Sequence, residues 1–197
     1  MARRGRIQVR VSLMQIKLLD QPFPFTPQIW RSTGVHLSDI ITDLGREVFG
    51  TKGANGPATE EMQLQWEKGF IWERALSIAF GEGNVERPGE IVCDGIACSP
   101  DGVGVDEDGE VVVEEYKCTA MSSNKTPDGI WRWRTQAAAY CYVMGCTRAV
   151  FRVFYINGDY KGSGPLYRVF QLDWSQMEIE ENWMMLVNHA RNRGMLV

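Results

Sequence analysis

Residues 98–119 read C-S-P-D-G-V-G-V-D-E-D-G-E-V-V-V-E-E-Y-K-C-T, and the rest of the chain is organised around them. A proline precedes an acidic residue, Asp101, and a glycine-punctuated strand leads to a turn. A strongly β-branched strand then carries Glu115 and Lys117. This pattern predicts an antiparallel hairpin, in which directly paired residues share one face. If Glu107, Asp108 and Gly109 form the loop, with Gly109 left-handed, Asp106 pairs with Glu110 and Asp101 falls opposite Glu115. Their Cβ atoms then lie about 4.5–5.5 Å apart. A two-residue Asp108-Gly109 turn gives a rival register that pairs Asp101 with Tyr116 and flips the faces. Turn statistics accept both registers, and only the chemistry favours the first.

That chemistry follows from the strand period. Glu115 and Lys117 are two residues apart and share a face, while Glu114 and Tyr116 point the other way. Two carboxylates and a lysine are the parts of a divalent-metal phosphodiesterase. Mg²⁺ takes oxygen ligands and keeps several waters, so one or two carboxylates plus substrate phosphate suffice. Such an ion polarises the phosphoryl oxygen and lowers the pKa of water. A neighbouring lysine orients or deprotonates that water, or neutralises charge developing on the phosphate. The same three residues on a solvated surface hairpin would carry no function, and the bare pattern is common.

Outward from the hairpin, helices and strands interleave. Upstream, Ser38 is the expected N-cap of a short amphipathic helix over Asp39–Phe49, ended by Gly50. A glycine-rich loop, 51–57, precedes a long helix from Thr59 to about Phe80, stopped by Gly81. Its helical-period stripe is Trp66, Phe70, Glu73, Ser77 and Phe80, which directs the Glu73 carboxylate toward the core. A lone buried carboxylate is costly, so Glu73 requires an arginine partner or a metal. Strands are expected at 91–93, 96–97, 103–105 and 111–113.

Downstream, Thr119–Gly129 is a polar loop, and a helix over about Ile130–Met144 ends at Gly145. Strands at Arg148–Ile156 and Leu166–Leu172 flank a glycine-rich turn. A last helix, Ser175–Arg193, is capped by Asp173 or Ser175. Ahead of everything, Ile7–Lys17 alternates like a strand and Gln21–Pro27 is broken by proline. The order predicts an α/β fold with a mixed central β-sheet flanked by helices.

The chain has 197 residues, 44% of them hydrophobic and 23% charged, with a net charge of −4. Such a length fits one domain over residues 1–197. The overall field would not draw the chain to a polyanion, so any such site is a local patch. Arg132, Arg134 and Lys125, with Trp131 and Trp133 among them, form the one basic and aromatic cluster near the hairpin, suited to phosphates and to stacking on bases. No stretch approaches the roughly 20 apolar residues of a membrane span, and the basic N-terminus lacks a signal-peptide core. A cytoplasmic protein is expected. Five irregularly spaced cysteines fit reduced thiols better than a disulfide framework or a zinc site. His36 and His189 have no partner at metal-ligand spacing.

Taken together, these motifs resemble the PD-(D/E)XK nuclease superfamily, in its lambda-exonuclease-like and RecB-like branch. Ser99-Pro100-Asp101-Gly102 matches its P-D-G element, and Glu115-Tyr116-Lys117 its E-x-K. Gln136-Ala137-Ala138-Ala139-Tyr140 matches the Q-x3-Y helix that marks this branch. The resemblance covers about Glu60–Tyr155 and implies a restriction-endonuclease-like core. It further implies a Mg²⁺-dependent DNA nuclease (Mn²⁺ a substitute), an exonuclease of the phage recombination type ahead of an endonuclease. A catalytically silent DNA-binding module is the alternative of another class.

By the resemblance, Asp101, Glu115 and the Tyr116 carbonyl bind the metal, with Glu73 beside them, and Lys117 positions or activates water. Gln136 holds the lysine or substrate, and Tyr140 supports it or touches DNA. Ring-forming relatives allow a homo-oligomer, or a single-strand-annealing partner, neither derivable from the residues. If phage-encoded, the chain would act in the host cytoplasm. Some members carry an iron–sulfur cluster on one upstream and three C-terminal cysteines. No cysteine follows Cys146 here, so no cluster is expected.

Overall fold

The computed structural model describes residues 32–50, 59–80 and 87–196. The strand expected over Ile7–Lys17, the loops at Gln21–Pro27 and 51–57, and the Gly81 stop lie outside the described residues.

The described residues form seven strands and four helices in an α/β arrangement. β1 (Val35–His36) runs into α1 (Leu37–Phe49), and α2 (Glu60–Phe80) follows. Next come β2 (Ile91–Cys93), β3 (Ile96–Cys98), β4 (Gly102–Val105) and β5 (Val111–Thr119). A 3₁₀ turn at Pro127–Gly129 leads to α3 (Trp131–Met144), and β6 (Arg148–Tyr155), β7 (Leu166–Asp173) and α4 (Gln176–Asn192) complete the order. The mixed sheet expected from the sequence is divided in two. One sheet has the order β1-β3-β2, with β1 parallel to β3; the other runs β4-β5-β6-β7, with only β5 and β6 parallel. The division falls at Ser99–Asp101. Pro100 has no N–H to give to a ladder, which ends one sheet and starts the other.

The hairpin register is the one that the three-residue loop predicts. Gly102 pairs with Glu114, and Val105 with Val111. Asp106 N–H donates to Glu110 O at 3.0 Å, Gly109 N–H donates to Asp106 O at 3.1 Å, and Gly109 has φ 84°. An L side chain resists that φ, and glycine does not. The Asp106 carboxylate also accepts from the Asp108 and Glu110 N–H groups, so the loop is tied by its own first residue.

The core lies between the four-stranded sheet and a layer made of α1, α3 and α4. Val113, Ala149, Phe151, Val153 and Tyr155 meet Leu37, Ile40, Ile41, Ala137, Ala139, Trp183 and Leu186 there. Three consecutive buried alanines let α3 approach the sheet closely. On the other face, Trp72 of α2 stacks on Phe154, ring centroids 5.0 Å apart, and meets the edge of Tyr167.

Two helix expectations are corrected. α1 starts directly from β1 with His36 in the N-cap position, so Ser38 sits inside the first turn and its carbonyl accepts from the Thr42 hydroxyl. Burial of Leu37 fixes the helix there instead of a polar cap. On α2, Trp66 and Phe70 are 48% and 47% exposed, while Glu67 and Leu76 are buried. The apolar residues of α2 occupy more than one face, so their spacing does not identify the packed side. α4, by contrast, has the full capping box: Ser175 Oγ accepts from Glu178 N–H, and the Glu178 carboxylate accepts from Ser175 N–H.

Candidate active site

Asp101, Glu115 and Lys117 meet at the break between the sheets. Strand pairing sets Glu115 beside Phe151 and Lys117 beside Val153, so both point into the layer of α3 and α4. Glu114 and Tyr116 point to the α2 side, where Arg152 grips Glu114 with two hydrogen bonds of 2.6 and 2.8 Å. The face assignment read from the strand period is therefore the observed one.

The Lys117 ammonium donates to Glu115 Oε2 and lies 3.9 Å from Asp101 Oδ2. That Asp101 oxygen accepts the Tyr116 backbone N–H at 2.7 Å. The Tyr116 carbonyl is set by the same register. Asp106 and Glu110 are a hydrogen-bonded pair, and such pairs recur every second residue. Tyr116 thus turns both N–H and C=O toward the β4 edge. The position opposite it in this register is Pro100, which has no N–H. Asp101 claims the Tyr116 N–H, and the carbonyl is left without a ladder donor.

Glu73 reaches the same place from α2. Its carboxyl is raised to about 6, chiefly by burial and then by the Asp101 charge, against the lowering influence of Arg87 and Lys117. Glu115, only 1% exposed, is raised to about 7, again by burial first, with Lys117 opposing and Asp101 and Glu73 adding. Burial works against the Lys117 charge, but Glu115 and Asp101 outweigh it and hold the ammonium above its ordinary value. The Asp101 and Lys117 charges thus act on both glutamates, in opposite senses.

α3 adds Gln136 and Tyr140. Tyr140 is buried, and its phenol is pushed well above the usual range by burial and by the Glu115 and Asp101 charges. Gln136 Nε2 donates to the Tyr140 hydroxyl at 3.1 Å. Gln136 therefore holds Tyr140, its neighbour one turn on, and not Lys117. Tyr140 itself is 5% exposed.

The basic and aromatic cluster does not assemble. Trp131 packs edge-on to Phe49, ring centroids 5.4 Å apart, and Trp133 stacks on Phe151. Arg132 is exposed and donates to the Thr42 hydroxyl at 3.0 Å, whereas Arg134 lies toward Glu178 at the start of α4. Residues two apart on a helix face different ways, so nearness in sequence gives no common patch. Lys125 is exposed on the loop after β5. That loop is pinned: Tyr155 Oη donates to Lys125 O at 2.7 Å, Arg168 to Ser123 O at 3.1 Å, and Ser123 N–H to Gly158 O at 2.8 Å.

Sequence reasoning missed Arg87, whose half-exposed guanidinium pairs with Glu73. An arginine beyond the helix and outside any motif gives no local signal. The two histidines are engaged in polar packing. His36 Nε2 lies 3.0 Å from Ser32 O, and His189 Nε2 lies 2.9 Å from Asp43 Oδ2.

Among the described residues, no group of three or more His, Cys, Asp or Glu side chains is arranged to hold a metal ion. Lys117 and Arg87 engage two of the acidic groups instead. The donor chemistry nevertheless fits a hard cation: Glu115 Oε1 is buried without a hydrogen-bond partner, and the Tyr116 carbonyl falls opposite Pro100, which has no N–H to offer it. Carboxylate and carbonyl oxygens, completed by water and phosphate, are what Mg²⁺ accepts.

No family model and no curated protein matches the chain. The crystal structure of SSO0001 does, with a TM-score of 0.55 and 14% identity over 85% of this chain and 78% of that one. The two share a fold. Similar solved structures also include the alkaline exonuclease LHK-Exo of Laribacter hongkongensis in complex with dAMP, at a TM-score of 0.47 and 16% identity, covering 81% of this chain and 89% of that one. A phage related exonuclease from Haemophilus somnus 129PT gives 0.46 and 11%, covering 79% of each chain. Among the described residues, no helix is long and apolar enough to cross a membrane.

Proposed function

We propose that the chain is a Mg²⁺-dependent DNA nuclease of the PD-(D/E)XK type, an exonuclease of the phage recombination kind. The observation that carries this reading is Lys117, half-buried between Glu115 and Asp101 at the sheet break, with Tyr116 beside them. Asp101, Glu115 and the Tyr116 carbonyl would hold the cation, with Glu73 available once Arg87 releases it. When bound, the cation polarises a phosphoryl oxygen and makes water more acidic.

The chain's own groups do the rest. Lys117, held protonated, donates to the attacking water or to the phosphate and offsets charge as it develops. Its protonated state favours these two roles over that of general base. Gln136 and Tyr140 wall the site from α3, and the phenol stays neutral beside the carboxylates. Water attacks phosphorus in line, the P–O bond to the leaving 3′ oxygen breaks, and a 5′-phosphate remains.

Labelled linear and circular duplex DNA, incubated with Mg²⁺ or Mn²⁺, tests the proposal. Digestion of linear DNA alone is expected. Cutting of circles would make the enzyme an endonuclease, and no cleavage by folded protein at any metal concentration would overturn the nuclease reading in favour of a silent binding module.

A further inference from the structure

α3 ends in a turn that brings two thiols together. Cys146 N–H donates to Cys141 O at 3.0 Å and Gly145 N–H to Tyr142 O at 3.2 Å, with Gly145 left-handed at φ 67°. This is the Schellman pattern, whose side-chain contact falls between the third-last helical residue and the second residue past the cap. Here those positions are Cys141 and Cys146. Both sulfurs address one acceptor, the Arg148 carbonyl oxygen, at 3.4 and 3.7 Å. No part of the proposed nuclease chemistry uses either thiol.

We infer that Cys141 and Cys146 are a dithiol site for hydrogen peroxide, closing to a disulfide across the end of α3. Cys146 is the attacking sulfur. It is the less buried of the two, 8% exposed against 0%, which a small oxidant can reach. Its neighbours, first the Cys141 thiol and then the Arg148 and Val113 backbone, bring the Cys146 thiol down to about 7 against its burial, while Cys141 is pushed up. The remaining cysteines lack such help: burial raises Cys93, Cys98 and Cys118. A thiolate is the nucleophile in this chemistry.

The Cys146 thiolate attacks one peroxide oxygen, the O–O bond breaks, and Cys146 sulfenic acid and hydroxide form. The hydroxide takes the Cys141 proton, giving water. The Cys141 thiolate attacks the sulfenic sulfur, the S–O bond breaks, and the departing hydroxide takes up the proton first lost from Cys146. Two thiols lose two electrons and two protons, and one peroxide becomes two waters.

The test treats the full chain with hydrogen peroxide, alkylates it under denaturing conditions and maps the unreduced digest by mass spectrometry. A Cys141–Cys146 linked peptide lighter by two hydrogens is expected, with Cys93, Cys98 and Cys118 still alkylated and the link lost on adding dithiothreitol. In Cys141→Ser, dimedone should trap a sulfenic acid at Cys146. If Cys141 and Cys146 remain alkylatable, or a link joins Cys93 to Cys98 first, or dimedone marks Cys118 or Cys93 ahead of Cys146, the inference is overturned. The wild-type digest decides alone if the variant does not fold.

Discussion

The Asp101 carboxylate accepts the backbone N–H of Tyr116 at 2.7 Å, just past the last ladder pair of the hairpin, Gly102 with Glu114. One side chain thus has two functions, finishing the sheet and supplying a negative charge to the site. Asp101→Asn keeps an oxygen for the Tyr116 N–H and removes the charge. Asp101→Ala removes both, and a hydrogen bond to a charged group contributes about 1.5–3 kcal/mol. DNA cleavage should be lost in both variants, while thermal or urea unfolding should show a clear loss of stability only in Asp101→Ala. Retained cleavage in Asp101→Asn would remove Asp101 from the metal site.

Lys117 pairs with a carboxylate that is almost fully buried. Breaking a buried pair costs about 3–5 kcal/mol when the remaining charge stays ionised. Glu115 escapes that cost at low pH because its carboxyl, raised to about 7, takes up a proton. Lys117→Met should therefore fold well near pH 5.5 and lose stability toward pH 8.5 more steeply than the wild type, with cleavage reduced at least a hundredfold. Urea titrations at the two pH values check the first part and a cleavage assay the second.

The wild type should show the same trend in milder form. Glu73 and Glu115 titrate near 6 and 7 in the fold, above the ordinary carboxylate value of about 4.3. Between those limits the folded chain binds more protons than the unfolded one, so stability falls as pH rises. The contribution is complete below about pH 4 and lost by about pH 7. A bound divalent cation displaces these protons, so Mg²⁺ should raise the melting temperature more at pH 8 than at pH 5, and a weakly buffered titration near pH 6 should release acid. A melting temperature insensitive to Mg²⁺ at every pH would count against the ligand set.

Arg87 competes for Glu73 from an exposed position. Glu73 is the buried partner and takes up a proton below about pH 6, so near pH 5 Arg87→Ala should leave stability nearly unchanged. Losing a lowering charge should move the Glu73 titration upward, visible by carboxyl-carbon NMR. It should also change the Mg²⁺ concentration needed for half-maximal cleavage. A Glu73 titration at its wild-type position would show that the ion pair does not persist in solution.

The hairpin was legible because strand period, a glycine at the one positive φ and the chemistry of Asp101 and Glu115 all select the same register. The Q-x3-Y helix was legible for a similar reason, since Gln136 and Tyr140 at i and i+4 must be neighbours. α2 was not, because Trp66 and Phe70 are apolar yet exposed, and only the tertiary fold reveals Leu76 and Glu67 as its buried side. The start of α1 was misread at Ser38 because a buried Leu37 outweighed a capping hydroxyl. Arg87 and the clamps on the 119–129 loop were invisible for a different reason. They join residues distant along the chain, and no local pattern encodes them.

Pro100 gives the two acidic residues unequal mechanical footing. Glu115 sits within a strand that is hydrogen-bonded on both sides, by β4 and by β6, and moves only with that sheet. Asp101 lies between β3, which it meets through Ser99 and Pro100, and β4, which begins at the next residue, and its carboxylate is tied to the Tyr116 N–H. The two carboxylates are therefore held by different means, Glu115 by the backbone ladders of its strand and Asp101 by a bond of its own side chain.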